Sequence, residues 1–409
     1  MVRTLKAEPL VEAALRFTYA HPRLRVLVRE GWGVARAAAT RAHAPALLEP
    51  ASFEDLRRLR ASSAPAEAGP TSGAPRVLFL SMRGWSTHLM YETVLARAVA
   101  QRGAAAVFAT CGGRLPVCDL VPGEAAPPMP CHSCRAYTTG AISAAGFDPL
   151  RLRDLVDVGV VAADARERTR EVSSVSECAA FHDGDLPMGE FVRVSTAWFL
   201  SRGSLPEDAA VVETYRRFLV SGMVVAAAFR SLLDRVSPDR IFLLNGSLFA
   251  ERILRELAAH RGVPVVTYEK GFLLDTILVA EGAAASDVDP GADAWLAASE
   301  VALSAEENRR LDDYLHERTW GGRTFDNFWV EKVDDIEAIR RDLDLRPGRR
   351  LVVLFSNILW DSAVQGKDLA FGSMPDWVVS AIRWAATRPD LDLVVRLHPA
   401  EIRLANHPT

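Results

Sequence analysis

The sequence predicts an α/β protein built as two Rossmann-like domains in tandem, with a helical cap in front and the second domain incomplete. Three observations point there. Arg76–Ser81 (RVLFLS) and Leu351–Phe355 (LVVLF) are short continuous apolar runs, as expected of strands buried on both faces. Each is followed by a turn-rich segment, a helical period and a second apolar run, the pattern of a βαβ unit. A stretch of mainly helical periodicity separates the two units, and 409 residues suffice for two to three domains.

Residues 1–61 read as the cap. Leu10, Val11, Ala14, Leu15 and Phe17 recur near helical spacing until Pro22 interrupts them, and Arg23, Arg25, Arg29, Arg36 and Arg41 give the next stretch a basic face. Such a face is either solvated or drawn to an anionic membrane surface. Residues 62–75 (SSAPAEAGPTSGAP) form a linker of small residues, proline and glycine.

The first sheet domain, 76–300, begins with the strand Arg76–Ser81, a turn segment Met82–His88, a helix over Leu89–Arg102 and a strand over Ala104–Ala109. Thr110–Pro130 reads as a loop, and residues 135–235 as mainly helical, most clearly over Val211–Asp234. Strands at Arg240–Leu244 and Val263–Tyr268 flank a helix over Leu248–His260, and Ala294–Ala298 reads as a further short strand. The second domain, 301–409, starts with charged helices up to Asp344. It continues with the strands Leu351–Phe355 and Leu391–Leu397 around a helix over Pro375–Thr387. Two strands are few for a stable open sheet, so the chain is expected to be part of a longer protein.

Composition narrows the class. With 49% apolar and 24% charged residues the chain is globular rather than disordered. A net charge of −4 argues against a nucleic-acid partner. That charge is uneven: 11 Lys/Arg against 6 Asp/Glu make residues 1–60 net +5, leaving −9 on the rest. Five cysteines at this length are not a secreted disulfide framework. The longest apolar run, Met223–Phe229, is too short to span a bilayer, and Met1–Leu10 lacks the apolar core of a signal peptide. The expectation is a soluble cytoplasmic protein, peripheral at most at the inner membrane face.

Four places carry residues suited to chemistry. Met82–His88 (MRGWSTH) follows the first strand, where open α/β sheets bind ligands. Gly84 permits close backbone approach, Arg83 adds a cation, and His88 can serve as a general base or simply as a polar contact. The second place is Cys111-x6-Cys118-x12-Cys131-x2-Cys134. Four thiolates can hold a structural zinc, with His132 as a spare ligand. They can equally hold an iron–sulfur cluster, form a redox pair, or stay separately buried, and zinc is the first expectation. Cys178 stands outside the set. Third, Asn245 and Ser247 lie between a strand and a helix, where they cap the helix or meet a ligand hydroxyl, and Glu269 ends the next strand as a candidate acid/base group or half of an ion pair with Lys270.

The fourth place is a pair of strand ends. Leu351–Phe355 runs into Ser356–Ser362 (SNILWDS), and Leu393–Leu397 runs into His398-Pro-Ala-Glu401. Neighbouring parallel strands would bring these loops together. Ser356, Asn357 and Ser362 then offer hydroxyl and amide donors, Arg396 and His398 cationic ones, and Asp361 and Glu401 acceptors for ribose or sugar hydroxyls.

Arg396–Glu401 (RLHPAE), preceded by Phe355–Ser362 (FSNILWDS), resembles the capsule-polysaccharide biosynthesis glycosyltransferases, a GT-B family with an HP motif. The resemblance covers 76–409 in architecture and 350–401 in motif. It implies a nucleotide-sugar donor site in the C-terminal domain, with His398 on the donor phosphate, and an acceptor site in the N-terminal domain facing it across a cleft. A catalytic His or carboxylate in the N-terminal loops then falls on His88 or Glu269, and acceptor contacts on Arg83, Gly84 and Asn245. The acceptor would be a surface polysaccharide or a lipid-linked glycan. No Asp-x-Asp triplet stands at a strand end, which fits a mode without a catalytic metal, the leaving nucleotide being neutralised by Arg, His and helix amides. A nucleotide-sugar epimerase of the same architecture is the alternative enzyme, and a noncatalytic metal-cluster or scaffold protein the alternative outside catalysis.

Overall fold

In the computed structural model the residues described are 22–41, 50–62, 73–120, 131–273, 275–287, 293–319, 335–398 and 401. The apolar run Arg76–Ser81 forms strand β1, and its side chains alternate between two cores. Leu78 and Leu80 enter one core while Phe79 enters the other, so both faces are buried. Around β1 lies a six-stranded, mostly parallel sheet. It contains β2 (Ala105–Thr110), β3 (Leu150–Arg151), β4 (Arg240–Leu244), β5 (Val265–Lys270) and β6 (Ile277–Glu281), in the order β3-β2-β1-β4-β5-β6. β1 pairs in parallel with both β2 and β4. The chain therefore winds outward through β2 and β3, then returns to the other side of β1. That reversal is the topological switch point of a Rossmann-like sheet, and ligands bind beyond the carboxyl ends of such strands.

Helices cover both faces. On one lie α2 (Ala51–Ser62), α3 (Ser86–Gln101) and α4 (Cys131–Ala144), with Phe53, Leu56, Leu89, Ile142 and Phe108 in the shared core, and α1 (Pro22–Arg41) packs against α4. The other face is covered by α5 (Val158–Arg168), the short α6 (Val175–Ala179), α7 (Met188–Leu200), α8 (Ala209–Val236) and α9 (Phe249–Ala259). The 28-residue α8 is the spine of that layer. It starts at the Asp208 cap, whose carboxylate accepts from the Ala210 and Val211 amides, and buries Tyr215, Phe218, Leu219, Val224, Phe229 and Leu232.

The described residues within Met1–Tyr268 and Ala280–Ala284 form one compact unit, and those within Glu269–Val279 and Ala285–Ala405 a second. In the second, β7 (Arg350–Phe355) and β8 (Leu391–Arg396) pair in parallel, from Arg350 opposite Leu391 to Phe355 opposite Arg396. They are joined through α13 (Met374–Ala386), which the Ser373 hydroxyl caps at the Asp376 amide. Ahead of β7 come α10 (Asp293–Ser299), α11 (Ala305–Thr319) and α12 (Ile336–Asp342).

Two sequence expectations change. Ala294–Ala298 is helical, inside α10, not a strand; Ala and Leu favour helix, and a five-residue apolar run carries no period that separates the two. The sheet also gains β3 and β6; β3, at two residues, is too short to stand out, whereas β6 is as long as β4. The 10–17 periodicity, most of the 62–75 linker and the side chains of Arg23, Arg25, Arg29, Arg36 and Arg41 lie outside the described residues. Among the described residues no helix is long and apolar enough to cross a membrane.

Candidate functional site

A cavity of about 520 Å³ opens beyond the carboxyl ends of β1, β2 and β3. Ser81, Met82 and Arg83 come from the end of β1, and Cys111, Gly112, Gly113, Cys118 and Asp119 from the loop after β2. Cys131, His132, Cys134 and Arg135 come from the first turns of α4, with Arg151 and Arg153 at the rim. All four clustered cysteines line this one space, and all are free thiols. Cys178 is buried elsewhere, in the α8 core.

The cysteine-bearing end of α4 is held by a residue 101 positions upstream of Cys131. The Glu30 carboxylate, on α1, accepts from the His132 amide at 3.0 Å and from the Ser133 amide at 2.9 Å. It also accepts from the Ser133 hydroxyl at 2.9 Å, and the His132 Nδ1 lies 2.8 Å away. A carboxylate there satisfies orphan amides and opposes the positive end of the helix dipole. Gly33, one turn on from Glu30, lets the helices touch: a Cβ there would sit 2.5 Å from the Ser133 nitrogen. Glu30→Ala is therefore expected to lower stability by about 2 kcal/mol, the scale of a lost cap plus charge-assisted bonds, read from urea midpoints. An unchanged midpoint would show that α1 is not fastened to α4 in this way.

The cavity floor is ionic. Arg83, Glu251 and Asp119 have side chains only 4%, 2% and 1% exposed. Arg83 Nη2 donates to Glu251 Oε2 at 2.6 Å, Arg83 Nε lies 3.5 Å from Asp119 Oδ1, and the guanidinium sits over the Trp85 ring. Asp119 Oδ2 accepts from the Ser195 hydroxyl, which itself accepts from the Phe249 amide and so caps α9. Burial opposes the charge on Arg83, but Asp119 and Glu251 outweigh it and leave its pKa raised. Burial pushes the Glu251 carboxyl up against the pull of Arg83. Nearby, Glu92 is buried on α3, accepting from the Ser81 hydroxyl and, at 2.8 Å, from the Tyr268 hydroxyl; burial raises it to about 7.

Burial also raises all four thiols: Cys118 well above its ordinary value, Cys131 to about 12, Cys134 to about 11, and Cys111 in the same direction. Their own proximity adds to this, since Cys118, Cys131 and Cys134 are all raised further by Cys111. A redox-active CxxC needs the opposite, a thiolate favoured at neutral pH. Among the described residues no group of three His, Cys, Asp or Glu side chains is placed to hold a single metal ion.

Of the other first-unit candidates, Gly84 abuts the cavity wall, its α-carbon hydrogens facing the Cys134 backbone. His88 is half-buried on the first turn of α3, its ring between those of Trp85 at 5.7 Å and Tyr268 at 5.9 Å, and it is not among the cavity-lining residues. Asn245, buried at a φ of +27°, uses its side-chain oxygen to accept from the Ser247 amide and its own amide to reach the Tyr268 carbonyl, which is turn-building work. Glu269 ends β5 in the second unit and accepts from the Lys270 amide.

In the second unit the two strand-end loops meet. The His398 amide donates to the Ser356 hydroxyl at 3.3 Å, the Ser356 amide to the Arg396 carbonyl at 3.1 Å, and the Leu359 amide to Glu401 Oε1 at 3.3 Å. Asn357 accepts from the Ile358 amide and Asp361 from the Ala363 amide, shaping the turn that leads to Ser362. A cleft of about 280 Å³ adjoins the end of β7, lined by Phe355, Asn357, Lys367, Phe371 and Trp377 among others. Asn357 is the one sequence-predicted donor residue lining it.

Sequence reading missed Glu30, Glu92, Asp119 and Glu251. For Glu92 a signal existed: it falls three residues after Leu89 and four before Ala96, on the apolar stripe of α3. Glu30, Asp119 and Glu251 take their roles only from partners far along the chain. Together these features define a Rossmann-like α/β protein with a cysteine-lined cavity at the carboxyl ends of its sheet. No protein-family model matches the chain, and no curated protein or solved structure does.

Proposed function

We propose that the chain is a glycosyltransferase of GT-B type, moving a sugar from a nucleotide-sugar donor to a surface polysaccharide or glycolipid acceptor. The second unit takes the donor and the first the acceptor. The observation that carries this reading is the meeting of the Ser356 and His398 loops at the carboxyl ends of two parallel strands. Strand ends of this kind bind phosphate-bearing ligands, and the aromatic cleft beside them, with Phe355, Phe371 and Trp377, suits a nucleotide base.

In this reading the Arg396 and His398 side chains meet the negative charge that grows on the leaving nucleotide, with Ser356, Asn357 and Ser362 as neutral donors. Glu401 and Asp361 accept from ribose or sugar hydroxyls. In the first unit His88, held between two aromatic rings, takes the acceptor hydroxyl proton.

Calorimetric titration of the chain with UDP-, GDP- and CMP-sugars tests the donor half. One donor class is expected to bind, and His398→Ala to weaken it at least ~10-fold, about 1.4 kcal/mol, with unchanged far-UV circular dichroism. Equal affinity in the variant would remove His398 from the donor site, and no binding by any donor would count against the proposal as a whole.

A further inference from the structure

The cysteine-lined cavity of the first unit takes no part in the sugar-transfer reading, and its chemistry points elsewhere. Four thiols from three separate stretches of chain converge on one space: Cys111 directly after β2, Cys118 further along that loop, and Cys131 with Cys134 on the first turn of α4. They do not divide into two isolated pairs. All four line the same cavity.

The backbone comes close to two of these sulfurs, at Gly113 and Gly84. Gly112 and Gly113 both adopt left-handed φ values, +71° and +75°, which glycine takes without strain. The Gly113 amide donates to the Cys111 sulfur at 3.4 Å. A Cβ at Gly84 would stand 3.2 Å from the Cys134 backbone, so glycine is what allows that approach.

A buried cation completes the set. Arg83 lines the cavity with its side chain 4% exposed; its Nη2 is bonded to Glu251, its Nε faces Asp119 Oδ1 at 3.5 Å, and its Nη1 has no hydrogen-bond partner among the described residues. A guanidinium nitrogen left open at a buried cavity wall suits a negatively charged occupant.

We infer that this cavity is a four-iron iron–sulfur cluster site, with Cys111, Cys118, Cys131 and Cys134 as ligands and Arg83 as the cation that offsets the cluster's negative charge. A single zinc ion draws four sulfurs to within roughly 3.8 Å of one another, from a Zn–S distance near 2.3 Å; among the described residues no group of three His, Cys, Asp or Glu side chains is placed to hold one ion. A cubane core is larger than one ion and takes one thiolate at each iron, which matches four thiols spread around the walls of a 520 Å³ space. The Gly113 amide and Arg83 would then act on the cluster as outer-shell partners. Assembly from equal parts of ferrous and ferric iron with inorganic sulfide balances as the oxidised cluster, and each cysteine thiol loses its proton to solvent as its sulfur binds iron.

The test is metal and acid-labile sulfide analysis of the full chain purified without oxygen, then reconstituted with those components. The inference expects about four iron and about four sulfide per chain, with visible absorption that dithionite bleaches. Cys134→Ser should lose most of the iron, whereas Cys178→Ser, altered outside the cavity, should keep it. Stoichiometric zinc without iron uptake, about two iron with two sulfide, or no metal at all would each overturn the inference. So would full iron retention by Cys134→Ser. None of these results bears on nucleotide-sugar binding, so the two readings fail separately.

Discussion

Arg83→Met is expected to destabilise the protein by about 3–5 kcal/mol, the scale on which removing one partner strands a buried charge. The reason is local. Glu251 and Asp119 are nearly without exposure, and Arg83 is the cation that both face. Without it Glu251, whose carboxyl burial already pushes up to about 8 against the pull of Arg83, must take up a proton or stay buried and ionised, so the loss should grow as pH rises. Arg83→Lys keeps the charge without the planar fork and should lose less. Pairing Arg83→Met with Glu251→Leu should recover part of the loss, because an apolar pair of similar volume replaces an ion pair with little penalty. Urea unfolding of the three variants at pH 6 and pH 8 reads this out. A loss below about 1 kcal/mol for Arg83→Met would contradict the ionic floor of the cavity.

Glu92 gives the second large effect, and its sign runs the other way. Burial raises its carboxyl to about 7, against an ordinary value of 4.5, with the Ser81 and Tyr268 hydroxyls holding it back from rising further. Between those two pH values the folded protein therefore holds a proton that the unfolded chain has released. Its contribution is fully present below pH 4.5 and is lost as pH climbs through 7. The stability of the wild type minus that of Glu92→Gln should fall by on the order of 3 kcal/mol from pH 5 to pH 8, then level off. A difference that stays flat over that range would mean that Glu92 is ionised in the fold, or reached by solvent.

The strands that organise this protein were legible because of a physical coincidence of length and burial. A parallel strand covered on both faces must be apolar throughout, so RVLFLS announces itself; LVVLF reads the same way and does form a strand, but Leu351, Val353 and Phe355 are exposed, so its expected burial on both faces is not found among the described residues. Sheet order was not legible, since nothing local to β1 says that β4 will lie beside it. The same distinction holds at the candidate sites. The adjacency of the Ser356 and His398 loops follows once two neighbouring parallel strands are recognised. The cysteine cavity was visible only as a spacing; its walls depend on Glu30 holding α4 and on Arg83 reaching Glu251, contacts made 102 and 168 residues apart. Ala294–Ala298 shows the opposite failure, a run too short for its period to be read at all.

Sugar transfer from a nucleotide donor can be read by identifying products by NMR after incubating the chain with the donor it binds and a glycan acceptor. The expected product is a new glycosidic linkage on the acceptor, with the nucleotide released in step. A donor converted to an isomeric nucleotide sugar without any acceptor, or a donor left unchanged beside the acceptor, would contradict it.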